Sequence, residues 1–252
     1  MTSGVAQRAI VVGASSGIGE AIALELAARG FDLAVVARRA ALLEALAEKI
    51  RAEQPGRQVR VYPHDVRESG NASGLFDRIV QDLHGLDWIV YVAGVMPRIE
   101  PDGYDIDVDR EIVEVNTLGA MAWLNPAARW FQAAQSGTIV GISSIAGERG
   151  RRGNPAYCAS KAALNSYLES LRNRLGRFGV RVVTIKPGFV DTIMLEGREA
   201  GVFWTISPAK AARAIVASGQ SRRGEVFVPA RWSLVAALVR AMPSFLFRRI
   251  EV

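Results

Sequence analysis

The sequence predicts one α/β domain built on a doubly wound parallel sheet. Three observations predict it. Short β-rich runs alternate with helical patterns along the 252 residues. Several of those runs are nearly all apolar, as strands covered on both faces must be. A glycine-rich turn joins the first run to the first helical pattern.

Strands read at 8–13 (RAIVVG), 32–37 (DLAVVA), 58–62 (QVRVY), 86–92 (LDWIVYV), 137–143 (GTIVGIS), 180–186 (VRVVTIK) and 225–228 (EVFV). Helices fall between them near 17–29, 40–53, 72–84, 107–133, 155–177 and 208–218. Alternation of this kind places ligands past the carboxyl ends of the strands, where the strand order reverses. The chain shows no linker rich in Pro, Gly and Ser and no internal repeat, so 1–252 is read as a single domain.

Half the residues are hydrophobic and 22% are charged, enough to bury a sizeable core. Net charge is +6, carried mostly by scattered arginines, since only four of the 31 basic residues are lysines. No nucleic-acid reading motif accompanies the charge, so no nucleic acid is expected as partner and the excess favours anionic small ligands. One cysteine, Cys158, excludes an internal disulfide framework, and two distant histidines argue against a metal site. Cys158 is expected to pack rather than react. With no signal-peptide pattern and no apolar run of membrane-spanning length, the expectation is a cytoplasmic protein.

The turn "VVGASSGIGEAIALELAARG" carries Gly13, Gly17 and Gly19 between strand and helix. Glycines suit a tight turn that lets backbone approach a pyrophosphate, and the helix start supplies N–H groups and a positive dipole end. The second strand ends at Ala37, followed by Arg38 and Arg39 rather than an acidic residue. An acid there would accept from an adenosine ribose and repel a 2′-phosphate. A guanidinium does the opposite, so the cofactor expected is NADP(H) in preference to NAD(H), held by Arg38, with Ser15 or Ser16 adding a hydroxyl. Asp65, after the third strand, reads either as acceptor for an adenine amino group or as a turn cap. His64 beside it reads as an exposed turn residue.

The stretch "NPAYCASK" places Tyr157 and Lys161 four positions apart at a helix start, about 400° round the helix and ~6 Å from each other. Ser143 and Ser144 end the fifth strand. Reducing a carbonyl needs hydride on carbon and a proton on oxygen. An ammonium about 4 Å from a phenol contributes up to ~4 kcal/mol toward the phenolate, or up to ~3 pK units, from a starting value near 10. Tyr157 thus reads as a tuned proton donor and acceptor, and Ser144 as the group that holds the substrate oxygen.

With these motifs in order, the chain resembles the short-chain dehydrogenase/reductase family over nearly its whole length. They are "GASSGIG" at 13–19, "VAG" at 92–94, "EVNTLGA" at 114–120, "ISS" at 142–144, "YCASK" at 157–161 and "KPGFVDT" at 186–192. The resemblance implies a Rossmann-type sheet of about seven strands in the order 3-2-1-4-5-6-7. It implies Tyr157 as catalytic acid/base, Ser144 as the residue orienting the carbonyl, and Lys161 as both pKa-lowering group and ribose ligand. Asn116 would hold a helix irregularity and a relay water. Cofactor contacts would come from Gly13, Ser15, Ser16, Gly17, Ile18, Gly19, Arg38, Arg39, Asp65, Val66, Ala93, Gly94, Tyr157, Lys161, Pro187, Gly188, Val190 and Thr192. A homodimer or homotetramer would form through helices 107–133 and 155–177. Val92 stands where the family often has asparagine.

The segment that in this family covers the substrate, 190–207, contains Ile193, Met194, Leu195, Val202, Phe203 and Trp204. With Val95 and Met96 it points to a hydrophobic ketone or alcohol. The apolar extension 232–252 has helical spacing interrupted by Pro243. It reads as a helix packed on the protein, or as a peripheral membrane contact with Phe245, Leu246 and Phe247 inserted and Arg248 and Arg249 at the headgroups. The expected activity is an NADP(H)-dependent interconversion of carbonyl and secondary alcohol. The competing readings are a nucleotide-binding scaffold without chemistry, and dehydration or epimerisation on the same frame.

Overall fold

The computed structural model describes residues 6–99, 103–195, 204–221 and 223–249. Seven parallel strands form its sheet: β1 (Arg8–Val12), β2 (Asp32–Ala37), β3 (Val59–Pro63), β4 (Trp88–Tyr91), β5 (Thr138–Ile142), β6 (Arg181–Pro187) and β7 (Glu225–Val228). Their order is β3-β2-β1-β4-β5-β6-β7, so the chain moves outward from β1 to β3 and then crosses back to β4. The crevice where ligands bind such sheets therefore opens between the carboxyl ends of β1 and β4.

Alternate residues of each strand go to opposite faces, and both faces are apolar. Ala9 and Val11 of β1, with Leu33 and Val35 of β2, pack under α1 (Gly17–Ala28), α2 (Ala40–Glu53) and α7 (Pro208–Gly219). Ile10, Val12, Ala34 and Val36 face α3 (Ser69–Asp82), α5 (Gly119–Ala134) and α6 (Pro155–Leu175). The predicted strands and helices stand within a few residues of the observed ends, and the predicted strand order is the observed one.

The helix expected at 107–133 carries an irregularity at Asn116, as the family resemblance implied. The run at 107–133 is broken into α4 (Ile106–Val113), a π-helical turn (Glu114–Leu118) and α5. Tyr91, the last residue of β4, is buried and donates its phenol to the Val115 carbonyl at 2.6 Å inside that turn. Insertions of this kind release carbonyls from the regular helical ladder, and each needs a new donor if buried. Burial holds the Tyr91 pKa far above its usual value, so the phenol stays a donor.

His64 is a correction. It is buried rather than exposed, with its ring edge-on to Trp123 at 5.5 Å between centroids. Trp123 has no exposed surface, and the imidazole completes the packing around it. Burial, ahead of the opposing charges of Glu68 and Asp65, lowers the His64 pKa.

The C-terminal segment forms α8 (Trp232–Ala241) and, after Pro243, a short turn α9 (Ser244–Phe247). It packs on the domain, as one of the two readings had it. Trp232 and Ala236 are buried, and Arg149 donates to the carbonyls of Val239 (2.8 Å) and Met242 (2.5 Å) and to Ser244 Oγ (3.0 Å). No helix among the described residues is long and apolar enough to cross a membrane.

Candidate active site

The glycine turn closes the crevice from the β1 side. Gly13 has φ +99°, and a Cβ there would lie 2.4 Å from the Ala93 nitrogen. That approach lets Gly13 N–H reach the Val36 carbonyl (2.7 Å) and Ala93 N–H the Val12 carbonyl (2.9 Å). Gly19 is required for a different reason: a Cβ would stand 2.1 Å from the Gly13 carbonyl oxygen, so α1 starts directly against the turn. Its N-terminus then points into the crevice with Gly17 and Ile18 in the first turn.

The arginines after β2 divide their contacts. Arg39, not Arg38, folds over the glycine turn, donating to Ser15 Oγ at 2.9 Å and Ser16 Oγ at 2.7 Å. Arg38 turns toward Asp65, 3.8 Å away. The Asp65 carboxylate also caps its own turn, accepting from the Arg67 backbone at 3.0 Å and side chain at 2.7 Å. The Arg67 hydrogen bond, ahead of other causes, holds its pKa below the usual carboxylate value. Val66, next in chain, is buried near the position of Gly119.

The other wall is built by α6. Asn154 caps it by accepting from Tyr157 N–H at 2.9 Å, and Pro155 occupies the first helical position, where its missing N–H costs nothing. This fixes Tyr157 within the first turn. Leu168 lies so close to β5 that any side chain at Gly141 would meet it at 2.3 Å. Close seating brings Lys161 Nζ to the Ile142 carbonyl at 3.0 Å and to 5.7 Å from the Tyr157 ring centroid. Both side chains are buried. Burial lowers the Lys161 pKa to about 8.

Asn116 sits in the π-helical turn with no exposed surface. It accepts from Val95 N–H (2.8 Å) and donates to the Val95 carbonyl (3.0 Å) and to Ser160 Oγ (3.0 Å). Ser160 in turn donates to the Tyr157 carbonyl at 2.8 Å, and Thr117 donates to the Ser160 carbonyl at 3.2 Å. A Cβ at Gly94 would stand 3.3 Å from Asn116 Oδ1 and 3.4 Å from Lys161 Nζ, so "VAG" meets the catalytic candidates directly. Ser144 caps the 3₁₀ turn Ile145–Glu148 by accepting from Ala146 N–H at 3.1 Å. Val92 takes part in the apolar packing beside β1.

The "KPGFVDT" segment completes the rim. Thr192 lies against Gly17, with its Cγ2 3.1 Å from where a Cβ would be. Pro187 ends β6, and Gly188 donates to the Val228 carbonyl at 2.9 Å. Val190 bridges to Ile206, pinning the base of the 190–207 segment. Val202 and Phe203 lie outside the described residues, while Ile193, Met194 and Trp204 are exposed. Beside Tyr157, an apolar cluster gathers Ile112, Ala146 and Cys158 with Val95, Met96 and Ile99.

A family model for short chain dehydrogenases matches residues 7–202. The chain belongs to the short-chain dehydrogenase family. This short-chain dehydrogenase is therefore an oxidoreductase of a family that uses a nicotinamide cofactor. It is 31% identical over 244 residues to an uncharacterized oxidoreductase of Mycobacterium tuberculosis, covering 96% of this chain and 95% of that one. It is similar in structure to an alcohol dehydrogenase from the archaeon Thermococcus sibiricus complexed with 5-hydroxy-NADP. That match has a TM-score of 0.79 and 25% identity, over 88% of this chain and 95% of the other. It also shares its fold with a short chain dehydrogenase from Burkholderia cenocepacia in complex with NADP, at TM-score 0.82 and 22% identity over 98% of both chains.

The residues present fit a phosphate-bearing dinucleotide. Two hydroxyls, a guanidinium and a helix N-terminus gather at one end of the crevice, and an ammonium beside a phenol stands at the other. Sequence reasoning missed the supports of this short-chain dehydrogenase's site. Glu148, just past Ser144, is buried in an ion pair with Lys186 (2.6 Å) and reaches Arg240 (3.3 Å), while Lys186 also meets Glu225 (2.7 Å). Only Lys186 lies in a recognisable motif. Ser160 carried a weak signal, a small polar residue just before Lys161.

Proposed function

We propose that this protein is an NADP(H)-dependent oxidoreductase that interconverts a carbonyl and a secondary alcohol on an apolar substrate. The observation that carries the reading is the burial of Tyr157 and Lys161 together at the carboxyl end of β5, with Lys161 anchored on the Ile142 carbonyl. A structural role alone gives no reason to desolvate an ammonium beside a phenol.

In this reading the nicotinamide supplies hydride in reduction and takes it in oxidation. Tyr157 delivers a proton to the developing alkoxide and takes one back in reverse. Lys161, charged below about pH 8, favours the phenolate and binds the ribose. Ser144 keeps its hydroxyl hydrogen for the substrate oxygen while its lone pair serves Ala146 N–H. Asn116 holds the Val95 loop against α6 and connects through Ser160 to the tyrosine's helix. Apolar neighbours of Tyr157 (Val95, Met96, Ile99 and Ile112) favour a hydrophobic ketone.

NADP(H) is preferred because Arg39 and the two serines form a cluster of donors at the end of β2, with Arg38 beside it. The NADP-type ligand of the Thermococcus sibiricus enzyme supports this. The molecule acts as a homodimer or homotetramer. A fluorescence titration with NADPH and with NADH tests the cofactor, and tight NADPH binding with much weaker NADH binding is expected. Binding of neither would overturn the reading and favour a scaffold without chemistry.

A further inference from the structure

Helix α8 has two unlike faces. Inward, Trp232 and Ala236 are buried. Outward, Leu234 is 75% exposed and Leu238 62%, and past Pro243 Phe245 and Leu246 are 54% and 43% exposed. Single exposed leucines are ordinary, whereas four large apolar side chains on one short segment mark a contact surface.

The charge of the segment says what it would contact. Residues 229–249 hold four arginines and no aspartate or glutamate. Arg231, Arg240, Arg248 and Arg249 are all exposed, with Arg240 held on Glu148 at 3.3 Å and Arg248 and Arg249 following Phe245 and Leu246 in the chain. The patch also reaches the covering segment. Arg231 lies 4.9 Å over the Trp204 ring, and the Trp204 and Trp232 rings are 6.0 Å apart. Ile193 and Met194, which leave the same Val190–Ile206 base, are exposed as well.

We propose that this surface docks on an anionic lipid bilayer. Leu234, Leu238, Phe245 and Leu246 enter the boundary between headgroups and acyl chains, and Arg231, Arg248 and Arg249 meet lipid phosphates. Phe247 is not among the inserting residues, because the Arg149 guanidinium covers its ring at 4.2 Å. A second copy of this chain fits the patch less well. A two-fold contact would bring two sets of the same arginines together with no carboxylate from 229–249 between them. The docking rests on this surface alone and stands or falls separately from the reductase reading.

Co-sedimentation of the full chain with vesicles tests it, using phosphatidylcholine alone and phosphatidylcholine mixed with phosphatidylglycerol. The expected result is binding to the mixed vesicles, little to the neutral ones, and release in about 1 M salt, where the screening length falls to ~3 Å. Phe245→Glu and Leu238→Glu, at exposed positions, should each weaken binding by about tenfold or more with the melting temperature unchanged. Arg248→Ala with Arg249→Ala should weaken it by a similar factor. Failure of the wild-type chain to bind mixed vesicles would overturn the proposal, as would binding indifferent to salt and to all these variants. If Leu238→Glu instead lowers the mass measured by light scattering and no vesicle binding occurs, the patch is a contact between copies and the proposal is wrong.

Discussion

The two walls of the crevice are made differently. On the β1–β2 side, Arg39, Ser15 and Ser16 hold one another through exposed or half-exposed side chains. On the β4–β5 side, Asn116, Ser160, Tyr157 and Lys161 are buried and joined to backbone at nearly every polar atom. A long arginine in water can change partner at little cost, since exposed ion pairs contribute about 1 kcal/mol or less. A buried polar group that loses its partner costs more. In the proposed function, phosphate recognition would thus rest on a replaceable contact, while the proton-transfer side would be fixed by the fold.

The sharpest way to break this contrast is Tyr157→Phe. It should lower kcat by about 100- to 10,000-fold while NADPH binding, read by fluorescence, barely changes. Equal losses in both would mean that the two walls are not separable.

Next in size is Lys186→Met. It leaves the buried Glu148 with Arg240 as its cation. Unfolding free energy should drop by about 1 to 3 kcal/mol, measured by denaturant titration. A loss under about 1 kcal/mol would show that Arg240 alone compensates the buried Glu148.

The third prediction concerns pH. Folded Lys161 has its pKa lowered by burial to about 8, against about 10.4 when unfolded. Below about 8 both states carry the proton and Lys161 adds no slope. Between those values the unfolded chain binds more protons, so unfolding free energy should rise with pH relative to Lys161→Met, by at most about 1.4 kcal/mol per pH unit. A flat difference between the two proteins would mean that the ammonium is hydrated.

The smallest effect is expected on the exposed wall. Arg39→Ala should weaken NADPH binding by about tenfold and leave NADH binding unchanged, consistent with loss of charge-assisted hydrogen bonds. Arg38→Ala, at a residue turned toward Asp65, should do less. The reverse ranking would return the phosphate to Arg38.

This contrast also explains what the sequence revealed. The strands were legible because both faces of the sheet are apolar, and α6 because Asn154 and Pro155 mark its start. Tyr157 and Lys161 were legible because one helix sets their spacing. The π-helical turn was not legible in the periodicity, and only the family resemblance, through Asn116, implied an irregularity there. The choice between Arg38 and Arg39 depends on side-chain torsions at adjacent positions. The contacts of Arg149 with Met242 and of Glu148 with Arg240 join residues more than 90 positions apart. Charges that meet only through the tertiary fold leave no local pattern, and scattered arginines read as surface. His64 was misjudged because a polar residue beside a turn is usually solvated, whereas here Trp123 supplies an apolar roof.

The clamp between Arg149, Glu148 and α8 has a consequence in the order of synthesis. Ser144 and Tyr157 leave the ribosome long before Arg240, Met242 and Ser244, which hold the turn behind Ser144. A nascent chain stopped ahead of α8 would carry the catalytic candidates on a turn still missing its outer ties. Those ties therefore cannot form until residues 240–244 have been made, after the last strand of the sheet, β7, is already in place in the sequence.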